Sequence, residues 1–196
     1  MARIGFTLSS EEFGPNELVG FARRAEEVGF DFLSVSDHYH PWIDRQGNSP
    51  FVWAVLGGVA QVTERIRVGT GVTCPTIRIH PAIIAQAAAT AATMLPGRFF
   101  LGVGSGEKLN EHVLGDHWPR TPVRQEMLVE AIEVIRKLWE GGLTSHHGKH
   151  YTVRTRASTR CRRSRRRSSS PRPASGQPRS RASTAMGSSA SSRTPR

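Results

Sequence analysis

An acid and two histidines directly follow an apolar run in the segment SVSDHYHPW, residues 34–42. Asp37 and His38 put a carboxylate and an imidazole in adjacent positions, and Trp42 adds a large aromatic surface. An imidazole titrates near neutral pH, so His38 can take up or release a proton during a reaction. A second carboxylate, Glu107, follows the glycine-rich segment GVGSG. These residue types predict proton transfer beside a bound ligand.

The same residues also have simpler interpretations. Asp37 and His38 can cap a helix or satisfy the backbone of a loop, and Trp42 can belong to the core. Asp37, His38 and His40 contain metal-ligand atoms, but they lack the helical i, i+4 spacing and a complete ligand set. Glu107 can be an acid at a helix start, and GVGSGE resembles a phosphate-binding loop without the full dinucleotide fingerprint. Taken singly, these signals identify no reaction.

A repeating pattern of strands and helices must position these side chains. Apolar, strand-like runs begin near residues 3, 32, 67 and 99, a spacing of about 30 residues that fits one β–α unit. The runs are apolar rather than alternating, which is typical of a parallel sheet covered by helices. Helical patterns occupy residues 14–30, 80–94 and 124–142. One short extended segment occupies residues 145–153. The pattern predicts an α/β fold, either half of a (β/α)8 barrel or a small doubly wound sheet.

Polar and glycine-rich residues follow the second, third and fourth of these runs. In both architectures, ligands bind at the carboxyl ends of parallel strands. We therefore expect Asp37, His38, Cys74 and Glu107 to lie together in a single crevice.

The formal net charge of +11 is concentrated at the carboxyl end of the chain. Residues 154–196 contain 13 arginines, no lysine and no acid, whereas residues 1–153 carry 14 basic and 16 acidic residues. The basic segment lacks Leu, Ile, Val, Phe, Tyr and Trp, so it cannot bury enough apolar surface to fold. We expect a folded domain over residues 1–153 and a disordered basic tail over residues 154–196.

The composition of the tail has two interpretations. Arginine without lysine, beside many Ser, Pro, Ala and Gly residues, is typical of a GC-rich gene translated out of frame, with the frameshift near residues 153–155. Alternatively, the tail is a genuine Arg/Ser-rich segment that binds nucleic acid non-specifically by neutralising phosphates.

The two cysteines indicate no disulfide framework, and no signal peptide or membrane-spanning run is present, so we expect a cytoplasmic protein.

Several segments taken together resemble one enzyme family. Between residues 3 and 153 the chain contains, in order, SDHYHPW, GNSPFVW, GTGVTCPT, HPAIIAQAAAT, PGRFFLGVGSGEKLNE and LWEGG with GKHYTV. They are similar to the F420-dependent glucose-6-phosphate dehydrogenase-like branch of the luciferase-like oxidoreductases. The resemblance implies the N-terminal half of a (β/α)8 TIM barrel and hydride transfer from an alcohol or sugar phosphate to the deazaflavin coenzyme F420. An FMN-dependent monooxygenase is the alternative within the wider superfamily.

The resemblance also implies roles for individual residues. It implies that His38 is the acid/base group, that Glu107 exchanges a proton with the reduced ring, and that Trp42 lines the pocket and stabilises the transferring pair. It implies cofactor contacts at Asp37, Gly71, Val72, Cys74, Ser105, Gly106 and Asn110, with a non-prolyl cis peptide between Gly71 and Val72. The family commonly has threonine at the position of Cys74.

The chain departs from the family pattern after residue 153, where relatives continue into the second half of the barrel. We therefore expect impaired dehydrogenase activity, with an inert or self-associating fragment as the alternative. Relatives are often dimers, and the sequence leaves the oligomeric state open between a homodimer, another form of self-association and a monomer. No membrane partner is expected.

Overall fold

One parallel sheet of four short strands organises the structure, a computed structural model that describes residues 2–154. The strands pair in the order β1-β2-β3-β4, and every pair is parallel. They are β1 (Gly5–Leu8), β2 (Phe32–Val35), β3 (Arg67–Thr70) and β4 (Phe99–Phe100).

The strand order distinguishes between the two predicted architectures. A doubly wound sheet reverses its strand order at a switch point, whereas barrel strands follow one another around the wall. Here each strand pairs with its neighbours in sequence, and one continuous register aligns Leu8, Val35 and Thr70. The order is that of four consecutive units of a (β/α)8 barrel.

Helices occupy the crossovers between the strands, as the β–α rhythm predicted. The helices are α1 (Pro15–Glu27), α2 (Val52–Val62), α3 (Pro81–Met94), α4 (Lys108–Glu111) and α5 (Thr121–Glu140), and a 3-10 turn covers His112–Leu114. The predicted extended segment forms an antiparallel hairpin of β5 (Ser145–His147) and β6 (Thr152–Arg154).

The sequence pattern did not assign α2 to a helix. Its buried residues are Val52, Val55, Leu56 and Val59, which follow the spacing of one helical face. Two adjacent glycines lower the helix propensity of this run, and neither end carries a charged residue that marks a terminus. Burial against the rest of the core therefore stabilises a helix that local propensity favours only weakly.

The apolar core lies between the sheet and the helices. Leu33 and Val68 of the sheet are fully buried, and the same cluster contains Leu18, Ala22 and Ala25 of α1. The predicted apolar face of α1 is confirmed at these three positions. These three residues hold α1 against the core.

The helical pattern over residues 14–30 also placed Phe21 and Val28 on this apolar face, and at these two positions the prediction was wrong. Phe21 and Val28 are 37% and 54% exposed. Val28 is the C-cap residue, where the helix has already ended, and Phe21 packs edge-on against the ring of Phe13. The predicted stripe therefore includes one residue beyond the end of the helix and one at the margin of its buried face.

The other face of the sheet carries two phenylalanine rings that lie over glycines. The ring of Phe32 lies over Gly5 and that of Phe100 over Gly69, and the two rings meet edge to face with centroids 6.3 Å apart. A Cβ at Gly69 would lie 2.0 Å from the backbone oxygen of Phe100. Only glycine therefore fits between β3 and β4 at this position.

The described residues leave some predictions about the whole chain open. No helix within residues 2–154 is long and apolar enough to span a bilayer. β6 includes Arg154, one residue past the predicted domain boundary, and the rest of the predicted tail lies outside the described residues. The cytoplasmic location stays a prediction.

Candidate active site

Loops that follow β2, β3 and β4 bring the predicted residues to one edge of the sheet. Thr73 donates a hydrogen bond from its hydroxyl to Asp37 Oδ2 at 2.7 Å, which joins the loops after β3 and β2. His38 Nε2 lies 3.9 Å from Glu107 Oε1, which joins the loops after β2 and β4. Cys74 is the next residue along the loop from Thr73. The structure thus places Asp37, His38, Cys74 and Glu107 together at the carboxyl ends of the strands.

The loop after β1 contributes a further acid, Glu11, that the sequence did not predict as a site residue. Glu11 Oε1 lies 2.7 Å from His38 Nδ1, and the two side chains are 5% and 14% exposed. The hydroxyls of Ser9 and Ser36 each donate a hydrogen bond of 2.9 Å to Glu11 Oε2. The contact between His38 Nδ1 and Glu11 Oε1 is short but is not aligned as a hydrogen bond, so it is an ion pair.

This pair shifts the pKa of both partners. The Glu11 carboxylate raises the pKa of His38 above its ordinary value of 6.5, against the opposing effect of burial. Burial by itself would raise the pKa of Glu11, but His38, a backbone N–H group and the hydroxyls of Ser36 and Ser9 together lower it to about 2. The ionised Glu11 carboxylate therefore favours the protonated form of His38 and makes its imidazole a stronger base than an isolated one.

We expect Glu11→Gln to lower the pKa of His38, because the amide removes the negative charge beside Nδ1. In the unchanged protein, the stabilising effect of His38 protonation is complete below pH 6.5 and is lost as the pH rises through the raised pKa. The effect of Glu11 is complete above pH 4.5 and is lost as the pH falls towards 2. Both dependences should weaken in Glu11→Gln. An NMR titration of the His38 ring, assigned by comparison with His38→Ala, measures the change.

The matched control is Glu27→Gln, which removes an exposed carboxylate that pairs with Arg24 on α1. This variant should leave the titration of His38 unchanged. A His38 pKa that is the same in Glu11→Gln and in the unchanged protein would contradict the assigned ion pair.

Trp42 and Glu107 flank the accessible side of His38. The rings of Trp42 and His38 meet edge to face, with centroids 4.9 Å apart and an interplanar angle of 80°. Trp42 is 53% exposed, and the side chain of Glu107 is 44% exposed. Because Nδ1 faces Glu11, Nε2 is the ring nitrogen on the side of Glu107. A ligand that contacts Trp42 and Glu107 would therefore meet Nε2.

Part of the predicted cofactor set lies in accessible loops. The peptide bond between Gly71 and Val72 is cis, as the resemblance predicted, and Val72 is 49% exposed. Ser105 and Gly106 are half-buried in the loop after β4, and Gly106 has a φ of 73°. A Cβ at Gly106 would lie 2.5 Å from Cys74 Sγ, so glycine is required both for the backbone conformation and for the close approach.

Two further predicted cofactor residues, Cys74 and Asn110, are buried. Cys74 Sγ lies 2.9 Å from the hydroxyl of Thr76, and burial raises the pKa of the Cys74 thiol to about 12, so the thiol stays protonated. Asn110 Oδ1 accepts hydrogen bonds of 2.9 Å from the backbone N–H groups of Tyr39 and His40. Within residues 2–154 the buried Nδ2 atom of Asn110 has no hydrogen-bond partner. Asn110 therefore keeps one amide donor unused.

Asp37 belongs to a buried charge network that the sequence did not predict. Its Oδ1 accepts a hydrogen bond of 2.8 Å from Arg78 Nη2. Glu111 Oε2 accepts a hydrogen bond of 3.1 Å from the backbone N–H of Arg78, and its Oε1 lies 3.5 Å from Arg78 Nε. The side chains of Asp37, Arg78 and Glu111 are 1%, 7% and 2% exposed. Burial raises the pKa of Glu111, against the lowering effect of Arg78.

A separate cluster of acids and histidines joins α5 to the β5–β6 hairpin. A cavity of about 720 Å³ lies there, and none of the predicted site residues lines it. His146 Nε2 lies 3.0 Å from Glu130 Oε1, and Lys149 Nζ lies 2.6 Å from Glu126 Oε2. No group of His, Cys, Asp and Glu within the described residues is arranged to hold a metal ion. These side chains pair with one another and hold the hairpin against the helix.

Comparison with known proteins gives consistent matches. A family model for luciferase-like monooxygenases matches residues 1–186. An F420-dependent glucose-6-phosphate dehydrogenase of Microbacterium testaceum (strain StLB037) is 48% identical over 152 residues, which cover 78% of this chain and 45% of that relative.

Solved structures match over the same region. An F420-dependent secondary alcohol dehydrogenase in complex with an F420–acetone adduct is 43% identical, with a TM-score of 0.75 over 78% of this chain and 46% of that chain. A coenzyme F420-dependent tetrahydromethanopterin reductase from Methanopyrus kandleri is 28% identical, with a TM-score of 0.66 over 80% of this chain and 45% of that chain.

The chain spans less than half the length of these relatives. The matches confirm the predicted half-barrel fold. They also confirm the predicted similarity to the F420-dependent glucose-6-phosphate dehydrogenases within the luciferase-like oxidoreductases. The chain therefore belongs to the luciferase-like monooxygenase family.

Proposed function

We propose that this chain carries the acid/base side of an F420-dependent dehydrogenase, which oxidises the CH–OH group of an alcohol or sugar phosphate. The observation that supports this most strongly is His38, held between Glu11 on Nδ1 and Glu107 near Nε2 and contacted by Trp42. Two of the three relatives described above are F420-dependent dehydrogenases by name, and the third is an F420-dependent reductase. We also propose that residues 1–153 form one partial barrel domain.

The residues around the strand ends fit a flat, polar cofactor. A Cβ at Gly104 would lie 2.8 Å from Val72 Cγ2, and one at Gly106 would contact Cys74, so these glycines let the loops after β3 and β4 pack closely together. The buried Nδ2 of Asn110 is a hydrogen-bond donor without a partner in residues 2–154. A buried unpaired donor is costly, and a ligand acceptor would remove that cost. Val72, Gly106 and Asn110 would thus hold the ring system, and the predicted contacts at Gly71, Cys74 and Ser105 complete the same loops.

In this proposal, bound F420 supplies the chemistry of hydride acceptance, and the chain supplies proton transfer and orientation. His38 Nε2 takes the proton of the substrate hydroxyl, and Glu11 stabilises the imidazolium that results. The Glu107 carboxyl holds or releases a proton at the other side of the site, 3.9 Å from Nε2. Trp42 keeps the His38 ring in place and excludes water from its face.

The experiment is a fluorescence titration of F420 with the purified chain, followed by turnover with a secondary alcohol and with glucose 6-phosphate. Saturable binding and F420 reduction are the expected results. Binding of FMN in place of F420 would support the monooxygenase alternative. Binding of neither cofactor would contradict the proposal and support an inert fragment.

We expect Gly106→Ala to weaken F420 binding by about tenfold or more, because its Cβ would push against Cys74 Sγ and displace the loop. The control is Gly115→Ala. Gly115 has a similar φ of 84°, but a Cβ there meets no atom within 4 Å. Both variants share the backbone cost of a positive φ, and only Gly106→Ala alters the proposed cofactor loop. Equal affinities in the two variants would contradict this role.

A further inference from the structure

A buried guanidinium connects three loops of the candidate active site. Arg78 lies in the loop after β3, Asp37 in the loop after β2, and Glu111 in α4 after β4. Arg78 Nη2 lies 2.8 Å from Asp37 Oδ1 and 3.3 Å from the Asp37 backbone oxygen. On its other side, Arg78 contacts both carboxylate oxygens of Glu111 through Nε and its backbone N–H. One side chain thus contacts two loops that are remote in sequence.

Each end of this bridge adjoins a proposed catalytic residue. Asp37 immediately precedes His38, and Glu107 is the N-cap residue of α4, which contains Glu111. A second link runs in parallel, because Asn110 of α4 accepts hydrogen bonds from the backbone N–H groups just after His38. Contacts that are largely buried within the protein therefore connect the segment that carries His38 with the helix that begins at Glu107.

We propose that Arg78 is a positioning residue that fixes His38 and Glu107 relative to one another. The proposal rests on the proposed function for the roles of these two residues. Both oxygens of the Asp37 carboxylate are used within the protein, Oδ1 by Arg78 and Oδ2 by Thr73. Asp37 therefore acts through Arg78 and Thr73, on the loop that carries His38.

Charge and geometry both require arginine at this position. Buried carboxylates need a cationic partner with satisfied hydrogen bonds, and a planar guanidinium can serve two of them in different directions. A lysine ammonium is a compact charge on a flexible stem and cannot keep both contacts in one geometry. Arg78→Lys therefore retains the charge and the backbone contact with Glu111, and removes the guanidinium link between Asp37 and Glu111.

Arg98 provides a matched control at the other end of the strands. Its guanidinium donates hydrogen bonds to the Thr63 hydroxyl, the Thr63 backbone oxygen and the Ile66 backbone oxygen, just before β3. Arg98 therefore also ties separate segments together, but none of them carries a proposed catalytic residue. Arg98→Lys should affect stability without affecting the placement of His38.

The test is a double-mutant cycle read by NMR on the full chain without cofactor. The groups that raise the pKa of His38 are Glu11, Glu107 and Asp37, so Glu107→Gln should lower that pKa. If Arg78 positions Glu107 near His38, the decrease in the His38 pKa caused by Glu107→Gln should be roughly half as large or less in the Arg78→Lys background. It should be unchanged in the Arg98→Lys background. An equal lowering in all three backgrounds would overturn the proposal.

A second variant covers the case in which Arg78→Lys does not fold. Glu111→Gln keeps the shape of the side chain and removes the charge that faces Arg78 Nε, and the same cycle applies. With F420 and substrate, either variant should lower kcat by about 10- to 100-fold with little change in F420 affinity. Absent turnover in the unchanged chain would contradict the proposed function, while the cofactor-free titration would still decide the role of Arg78.

Discussion

Replacing His38 with alanine is expected to lower turnover by about 10²- to 10⁴-fold while the affinity for F420 changes little. In the proposed function the imidazole takes the substrate proton, whereas the proposed cofactor contacts come from other loops. Nε2 is the ring nitrogen on the accessible side, because Nδ1 is occupied by Glu11. Steady-state turnover and a fluorescence titration of F420 on the same preparation separate the two effects.

The control for this variant is His147→Ala, which removes an exposed histidine of β5. It should leave both turnover and F420 affinity unchanged. Circular dichroism of both variants checks that the chain is folded. Normal turnover by folded His38→Ala would remove His38 from the mechanism.

Gly69→Ala is expected to destabilise the fold by about 3 kcal/mol or more, a larger effect than most single substitutions. Its Cβ would lie 2.0 Å from the backbone oxygen of Phe100 and 2.5 Å from the Phe100 ring. The backbone of Phe100 cannot retreat without breaking the parallel pairing of β3 with β4. Unfolding by denaturant, followed by circular dichroism, measures the change in free energy of unfolding.

Gly20→Ala is the matched control within the same chain. Gly20 lies in the exposed part of α1, and a Cβ there meets no atom within 4 Å. Alanine should stabilise this helical position by about 0.5–1 kcal/mol. If the two substitutions changed stability equally, the close approach of β3 and β4 at Gly69 would be refuted.

The placement of the predicted site residues followed from one rule of topology. Apolar runs at a spacing of one β–α unit identified the strands, and the carboxyl ends of parallel strands share one edge. Asp37, His38, Cys74 and Glu107 all follow such runs, and the structure brings them together. No side-chain contact had to be known for this inference.

The partners of these residues could not be found in the same way. Glu11 lies three residues after β1, but in the segment SSEEF it has the pattern of an acid that precedes a helix. Its pairing with His38 exists only because β1 and β2 are neighbours in the sheet. Arg78 reaches Asp37 across 41 residues and Glu111 across 33. Such contacts depend on tertiary structure, so neither periodicity nor local propensity reports them.

The apolar pattern of the sequence also did not predict the length of the fourth strand. The apolar run that begins near residue 99 predicted a strand, but β4 is regular only at Phe99–Phe100. Pairing then resumes as a single bridge between Thr73 and Val103, after the loop at residues 71–72. The glycines between these points allow a close approach of the backbones but do not favour a regular strand.

The bridge through Arg78 has a consequence for how such a scaffold can be altered. Loops on a β–α framework are commonly regarded as interchangeable modules, since each can be replaced without disturbing the sheet. Here three of them are interlocked below the surface, so a graft of the His38 loop alone would leave behind the guanidinium that orients it. The smallest transferable unit is the set of three loops together, and sequence drift in any one of them is constrained by the other two.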